Sequence, residues 1–283
     1  MSTVYWKSSG FTDQGFATAG NWVGDTAPVD TDSVVFNAGS NPVDGSDQTG
    51  LELATVLVTD GYTGTLGSSG TYLQLDADDF VFGGQGATNY VSFTPDGTLN
   101  VLVYSTGTGA NALHIQGQMD RITLLQGNVT LDSSSALAAN AVVIVGYTSA
   151  VSTDVSFAVG TGVTNLTDLI LYGGTTTTTS AITTVRQFAG TLTHTTGAVT
   201  TLDLFGGACN WQSTGTLTTL NAYDGSFDAS GQASAKTITT IRLYRAALDL
   251  DNGARNITVT NGILAYTDAP SITDGFGRTW TIT

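Results

Sequence analysis

Between residues 181 and 231 apolar and polar positions alternate, stop, and start again on the same plan. The plan is an apolar residue, two threonines, a second apolar residue, then an aromatic and a glycine two places beyond it. The first threonines of the pairs are Thr183, Thr200, Thr218 and Thr239, spaced 17, 18 and 21 residues apart, and Thr258 follows 19 later. The aromatics keep the same time: Tyr172, Phe188, Phe205, Tyr223 and Tyr244. Gly174, Gly190, Gly207 and Gly225 stand two places after the first four; Ala246 takes that place in the last. An earlier copy, Ile122-Thr123-Leu124-Leu125-Gln126-Gly127, has Leu125 in the aromatic position.

After each glycine comes a second alternation. Leu192 and His194, Cys209 and Trp211, Phe227 and Ala229, and Leu248 and Leu250 flank polar Thr193, Asn210, Asp228 and Asp249. Period two is the mark of a strand with one buried face. A unit of 17–21 residues is too short for a propeller blade or a helical hairpin. It suits one coil of a solenoid, in which short strands turn through glycine corners and only stacking buries the inner face. The fold expected is all-β: a right-handed parallel β-helix (solenoid) with an irregular N-terminal arm or cap. Differences in coil length place loops at corners, as around Ser230–Lys236. Residues 116–267 carry the regular coils, 49–115 the first irregular ones, and 268–283 a C-terminal cap with Phe276 and Trp280 over the last coil. Residues 1–48, with Trp6, Trp22, Pro28 and Pro42, show little repeat character and read as the arm or cap.

Composition agrees. Glu52 is the only glutamate and Lys7 and Lys236 the only lysines, so good helix-forming surface residues are scarce, while Thr, Val, Gly and Asp favour strands and turns. At 283 residues there is chain enough for a sizeable core. The net charge of −15 argues against nucleic acid, which is held by Lys and Arg, and against an anionic membrane; it serves solubility. No apolar run reaches 18 residues, so no membrane span is expected. Met1-Ser2-Thr3-Val4-Tyr5-Trp6 lacks the pattern of a secretion signal, which leads to an expectation of synthesis in a cytoplasm.

Candidate chemistry is sparse. His114 has no partner motif, and His194 and Cys209 fall at inward positions, as core residues rather than a base or an activated thiol. No nucleophile elbow, metal-binding histidine pair or phosphate loop is present. Asp76-Ala77-Asp78-Asp79 is dense in carboxylates but has no basic neighbour, and Asp249, Asp251 and Gly253 miss calcium-loop spacing by one residue. Facing carboxylates on different coils are the one hydrolytic arrangement a sequence does not display. Neither catalysis nor a cofactor or metal is expected.

The repeated aromatic fits two placements: stacked on its counterparts at a corner or inside the coil, or turned outward as a seam between subunits.

The segments GNWVGDTAPVDTDSVVF (20–36), AGSNPVDGSDQ (38–48), GYTGTLGSSGTYLQL (61–75) and STGTLTTLNAYDGSFD (213–228) resemble the β-solenoid head-decoration, or cement, proteins of tailed bacteriophages. The resemblance implies a homotrimer on the outer capsid surface of a virion, bound to the major capsid protein and stabilising the head, made in the host bacterial cytoplasm. It carries no catalytic residues. The alternative is a phage tailspike, fibre or surface adhesin that binds glycans. Tyr5, Trp6 and Trp22 are the candidates for attachment or for swapping between subunits, unless both Trp residues cap the first coil. Tyr172, Phe188, Phe205, Tyr223 and Tyr244 are the candidates for a subunit seam.

Overall fold

The computed structural model describes residues 1–107, 110–133, 135–146, 155–232, 234–251, 257–266 and 271–274. The C-terminal cap expected from Phe276 and Trp280 lies outside the described residues, as does Gly253.

The chain is a parallel β-solenoid of about 10 turns. One face is a continuous parallel ladder running from Thr3–Tyr5 through Ser33–Phe36 and the ends of Asp47–Val58 and Leu73–Phe82. It passes on through Asn100–Val103, Arg121–Leu124 and the ends of Ala136–Val145 and Thr164–Leu171. It then continues through Ile182–Gln187, Val199–Leu204, Thr216–Ala222 and Lys236–Leu243 to Ile263–Ala265. We call this face A. Face B is a second ladder, from the start of Leu73–Phe82 through Asn89–Phe93, Ala112–Gly117, Gly127–Leu131 and Val155–Val159. Thr175–Thr178, Thr191–His194, Ala208–Trp211, Ser226–Asp228, Ala247–Asp249 and Ser271–Thr273 complete it.

The threonine pair now has a structural meaning. Ile182 and Val185 point inward, while Thr183 and Thr184 between them both point out. Two successive outward residues break the period of two, so the strand must bend there. The pairing agrees: Ile182 faces Val199 and Thr184 faces Thr201, but Thr183 and Thr200 are skipped. The same skip recurs at Thr200/Thr218 and at Thr218/Thr239. Each pair is therefore a corner that starts face A, and a β-branched residue with a small hydroxyl suits an extended backbone open to water.

The glycine is the corner at the other end of face A. Gly190, Gly207 and Gly225 have φ of +76°, +81° and +84°. A Cβ on each would come within 2.4 Å of the carbonyl oxygen of the corner one coil below. Only glycine combines that backbone with that approach. Ala246 is not among the non-glycine residues with positive φ, and it is 1% exposed, so its corner is built on a different backbone.

Residues 1–48, expected as an irregular arm or cap, carry the start of the solenoid and close its first coil. Thr3 pairs with Ser33, which pairs with Thr55, so face A begins at the third residue. Val4, Trp6, Phe16, Trp22, Val34, Phe36 and Val43 share one core with the later coils. The period was hidden because the loops joining these first strands are long. The loop expected near Ser230–Lys236 ends differently too: Lys236 is buried at the head of its strand, its Nζ donating to the Gln232 carbonyl.

Candidate functional site: an exposed aromatic edge

The core holds side chains that a reactive site would need on the surface. Cys209 is a free thiol wholly inside face B, and burial pushes its pKa up. A neutral thiol without water or base is a small apolar filler. His194 is also fully buried. Its Nε2–H donates to the Gly197 carbonyl at 3.0 Å and its Nδ1 accepts from the Thr178 hydroxyl at 2.7 Å. Its ring stacks on Trp211 at 4.6 Å. Burial lowers its pKa from the ordinary 6.5, so the imidazole is neutral and fixed in one tautomer.

His114 has partners that the sequence did not reveal. Its Nδ1 lies 3.0 Å from Asp132, whose carboxylate also accepts the Tyr72 hydroxyl, and its ring stacks on Tyr90 at 4.7 Å. The four residues clasp successive coils across the outside of face B. Asp76 is nearly buried, and desolvation raises its pKa. Among the described residues no group of three or more His, Cys, Asp and Glu is placed to hold a metal ion. Nor, among them, is any helix long and apolar enough to cross a membrane.

The N-terminal candidates divide. Trp6 and Trp22 are 1% and 0% exposed, edge to face at 5.1 Å, and packed with Phe16 and Phe36. Their indole N–H groups donate to the carbonyls of Asn41 and Phe16. Of the two readings open to them, attachment or capping of the first coil, their burial matches the second: they close that coil as an aromatic plug. Asn21 beside them, also fully buried, accepts from the Thr12 amide at 2.8 Å and donates to Asp13 and the Gly15 carbonyl. Asp32 takes the Ser2 amide and hydroxyl, both at 2.7 Å. The Asn-Trp…Pro…Asp segment is thus a capping device. Tyr5 alone of the three remains exposed.

The repeated aromatics form the most distinctive surface feature. Tyr172, Phe188, Phe205, Tyr223 and Tyr244 stack one per coil, with centroids 5.0, 4.8, 4.8 and 4.7 Å apart and planes within 19° of parallel. Tyr266 adds a sixth ring at 4.7 Å. The repeat does not reveal Tyr266, because it stands eight places after Thr258, whereas Phe188, Phe205, Tyr223 and Tyr244 stand five places after the first threonine of their pairs. Its signal is the apolar residue Ala265, which pairs with Leu243 and so repeats the step from Leu243 to Tyr244. The column ends below at Gly146, which follows Val145 where Tyr172 follows Leu171.

The rings stack on each other at a corner, and they also face outward. Phe188 is 41% exposed, with Tyr172, Phe205 and Tyr266 also exposed and Tyr223 and Tyr244 half-buried. The five steps make a ridge about 24 Å long, at the roughly 4.8 Å rise of parallel strands. Because each ring covers its neighbour's π face, the ridge shows solvent the ring edges. Beside it on face A runs a polar row in which Arg186 meets Asp168 at 3.0 Å, Asn221 donates to Asp203 at 2.6 Å and Arg242 donates to Asn221 at 3.1 Å. No protein-family model, curated protein or solved structure matches the chain.

Proposed function

We propose that this chain is a structural protein of a bacteriophage virion: a homotrimeric decoration protein that binds the outer capsid surface and stabilises the head. The observation that carries this reading is the division of side chains between inside and outside. His194 and Cys209 are sealed in the core, while the outside is an acidic solenoid with an exposed aromatic edge. Such a solenoid does mechanical rather than chemical work. Three copies bound to neighbouring capsid subunits add interface at several points, and release requires all of them to let go together. A net charge of −15 keeps the protein off nucleic acid. Tyr5, exposed beside the sealed N-terminal plug, is the contact residue we assign to the major capsid protein.

A glycan-binding fibre is supported less well. Sugars stack on open aromatic faces, and here the faces are taken up by the ladder. The test is to mix purified protein with expanded capsids lacking it. Co-sedimentation to a saturating stoichiometry, with density on the capsid exterior by cryo-EM, is expected. Failure to bind expanded capsids, or a hit on an oligosaccharide array, refutes the reading.

A further inference from the structure

Resting on that reading, we infer that the ridge Tyr172–Phe188–Phe205–Tyr223–Tyr244–Tyr266 is the seam between copies of this chain, packed parallel and in register. The partner is argued from three features of the ridge.

The first is area. An aromatic side chain offers about 150–250 Å² of surface, so rings about two-fifths exposed leave the row roughly 400–500 Å² open. That lies within the roughly 300–600 Å² of the largest apolar patch on a typical monomer, a patch that is often functional. It is about half of the roughly 800 Å² per partner in a stable interface, and the flanking rows of faces A and B supply the remainder.

The second is shape. Ring edges at one per coil make a corrugated line with the repeat of a parallel sheet. A surface of matching corrugation over five steps is another stack of coils of the same rise. This chain itself provides one.

The third is charge. A rotation axis parallel to the solenoid sets face A of one copy beside face B of the next, rung against rung. Arg242 then meets the rung of Asp249, Asn221 that of Asp228, and Arg186 and Asp203 meet neutral Thr193 and Asn210. No like charges face each other. A two-fold axis across the solenoid instead sets face A against face A in reverse order, which brings Arg186 opposite Arg242. Like charges placed opposite one another oppose association, so the parallel arrangement is selected.

Sedimentation equilibrium of the full chain tests the seam. The native protein is expected at a multiple of its 29.1 kDa mass, and Phe188→Ser with Phe205→Ser at the mass of one chain with its β-type circular dichroism retained. Arg242→Asp is expected to weaken association at least tenfold, and adding Asp249→Arg to restore it. A native protein that is one chain at 100 µM overturns the inference, as does an oligomer indifferent to the ring substitutions. Failure of Asp249→Arg to rescue Arg242→Asp overturns the parallel register. Capsid binding separates the two readings: a monomer that binds capsids refutes the seam and the trimer but leaves the decoration role standing, and an oligomer that ignores capsids refutes the decoration role alone.

Discussion

Replacing Gly207 by alanine adds one methyl group to one corner, and its effect can be worked out from the structure. The residue has φ +81°, and the new Cβ would lie 2.4 Å from the Gly190 carbonyl oxygen, 2.8 Å from the Ala189 carbonyl carbon and 3.0 Å from Gln187 Nε2. Holding an L-residue in the left-handed region costs about 1 kcal/mol. Relieving the clash requires the two corners to part by several tenths of an ångström. They are joined by the bond from the Ala208 amide to the Gly190 carbonyl, at 2.9 Å, so that bond is stretched; losing it costs about 1 kcal/mol more. Strain left in the flanking strands, which are locked in register on both sides, brings the total to about 2–4 kcal/mol. Ala246 is the internal control. It occupies the equivalent place without positive φ and with its methyl buried. Ala246→Gly removes a buried methyl worth about 0.8 kcal/mol and loosens the unfolded chain by about 0.5–1 kcal/mol. Both substitutions are therefore destabilising, in opposite chemical directions. Urea unfolding followed by circular dichroism measures both. A Gly207→Ala midpoint within error of the native protein's, or a stabilised Ala246→Gly, would show that the corners have slack and that the stacking argument is wrong.

Trp22→Ala should destabilise by about 3–5 kcal/mol, because it empties the centre of the aromatic plug and strands the Phe16 carbonyl; an unchanged melting temperature would refute the plug. Stability should decline as pH falls below 6.5, since the unfolded chain takes up a proton at His194 that the folded chain, with its lowered pKa, resists; the loss continues down to the folded pKa. His194→Gln should flatten that part of the curve, measured as urea midpoints between pH 8 and 5. A second loss belongs below pH 3.8, where Asp32, held low first by the Ser2 hydroxyl, must be protonated; Asp32→Asn should reduce it, the remainder belonging to Asp13 and Asp47, which are held low as well. Cys209 should resist a thiol reagent in the native protein and react fully in denaturant; rapid native labelling would contradict its burial.

The regular coils were legible because their information is local. Each strand alternates in and out, the unit recurs every 17–21 residues, and an inward Cys209 or His194 is identified by its register alone. Gln187 shows the limit of that logic. It breaks the apolar pattern yet lies fully inside, its amide nitrogen donating to the Gly190 and Ala208 carbonyls. Those partners serve the amide nitrogen only, Oε1 being buried without one. A polar residue reads as outward until its partners are placed. The same holds for the Asn21 and Asp32 networks, whose partners are not visible in the local pattern. That is why residues 1–48 looked like an arm: their coil closes through a long loop, not through a repeat.

The solenoid, its glycine-marked corners and the ring in each regular coil are written in the local pattern of residues. Which way those rings point is settled only when the coils are stacked. A corner residue is neither in nor out by parity, since the bend that creates the corner breaks the period of two on which parity depends. Stacking at 4.7–5.0 Å then consumed the ring faces and left a line of edges open on the surface. The spacing of that line and the charges beside it arise only when the coils are piled in register.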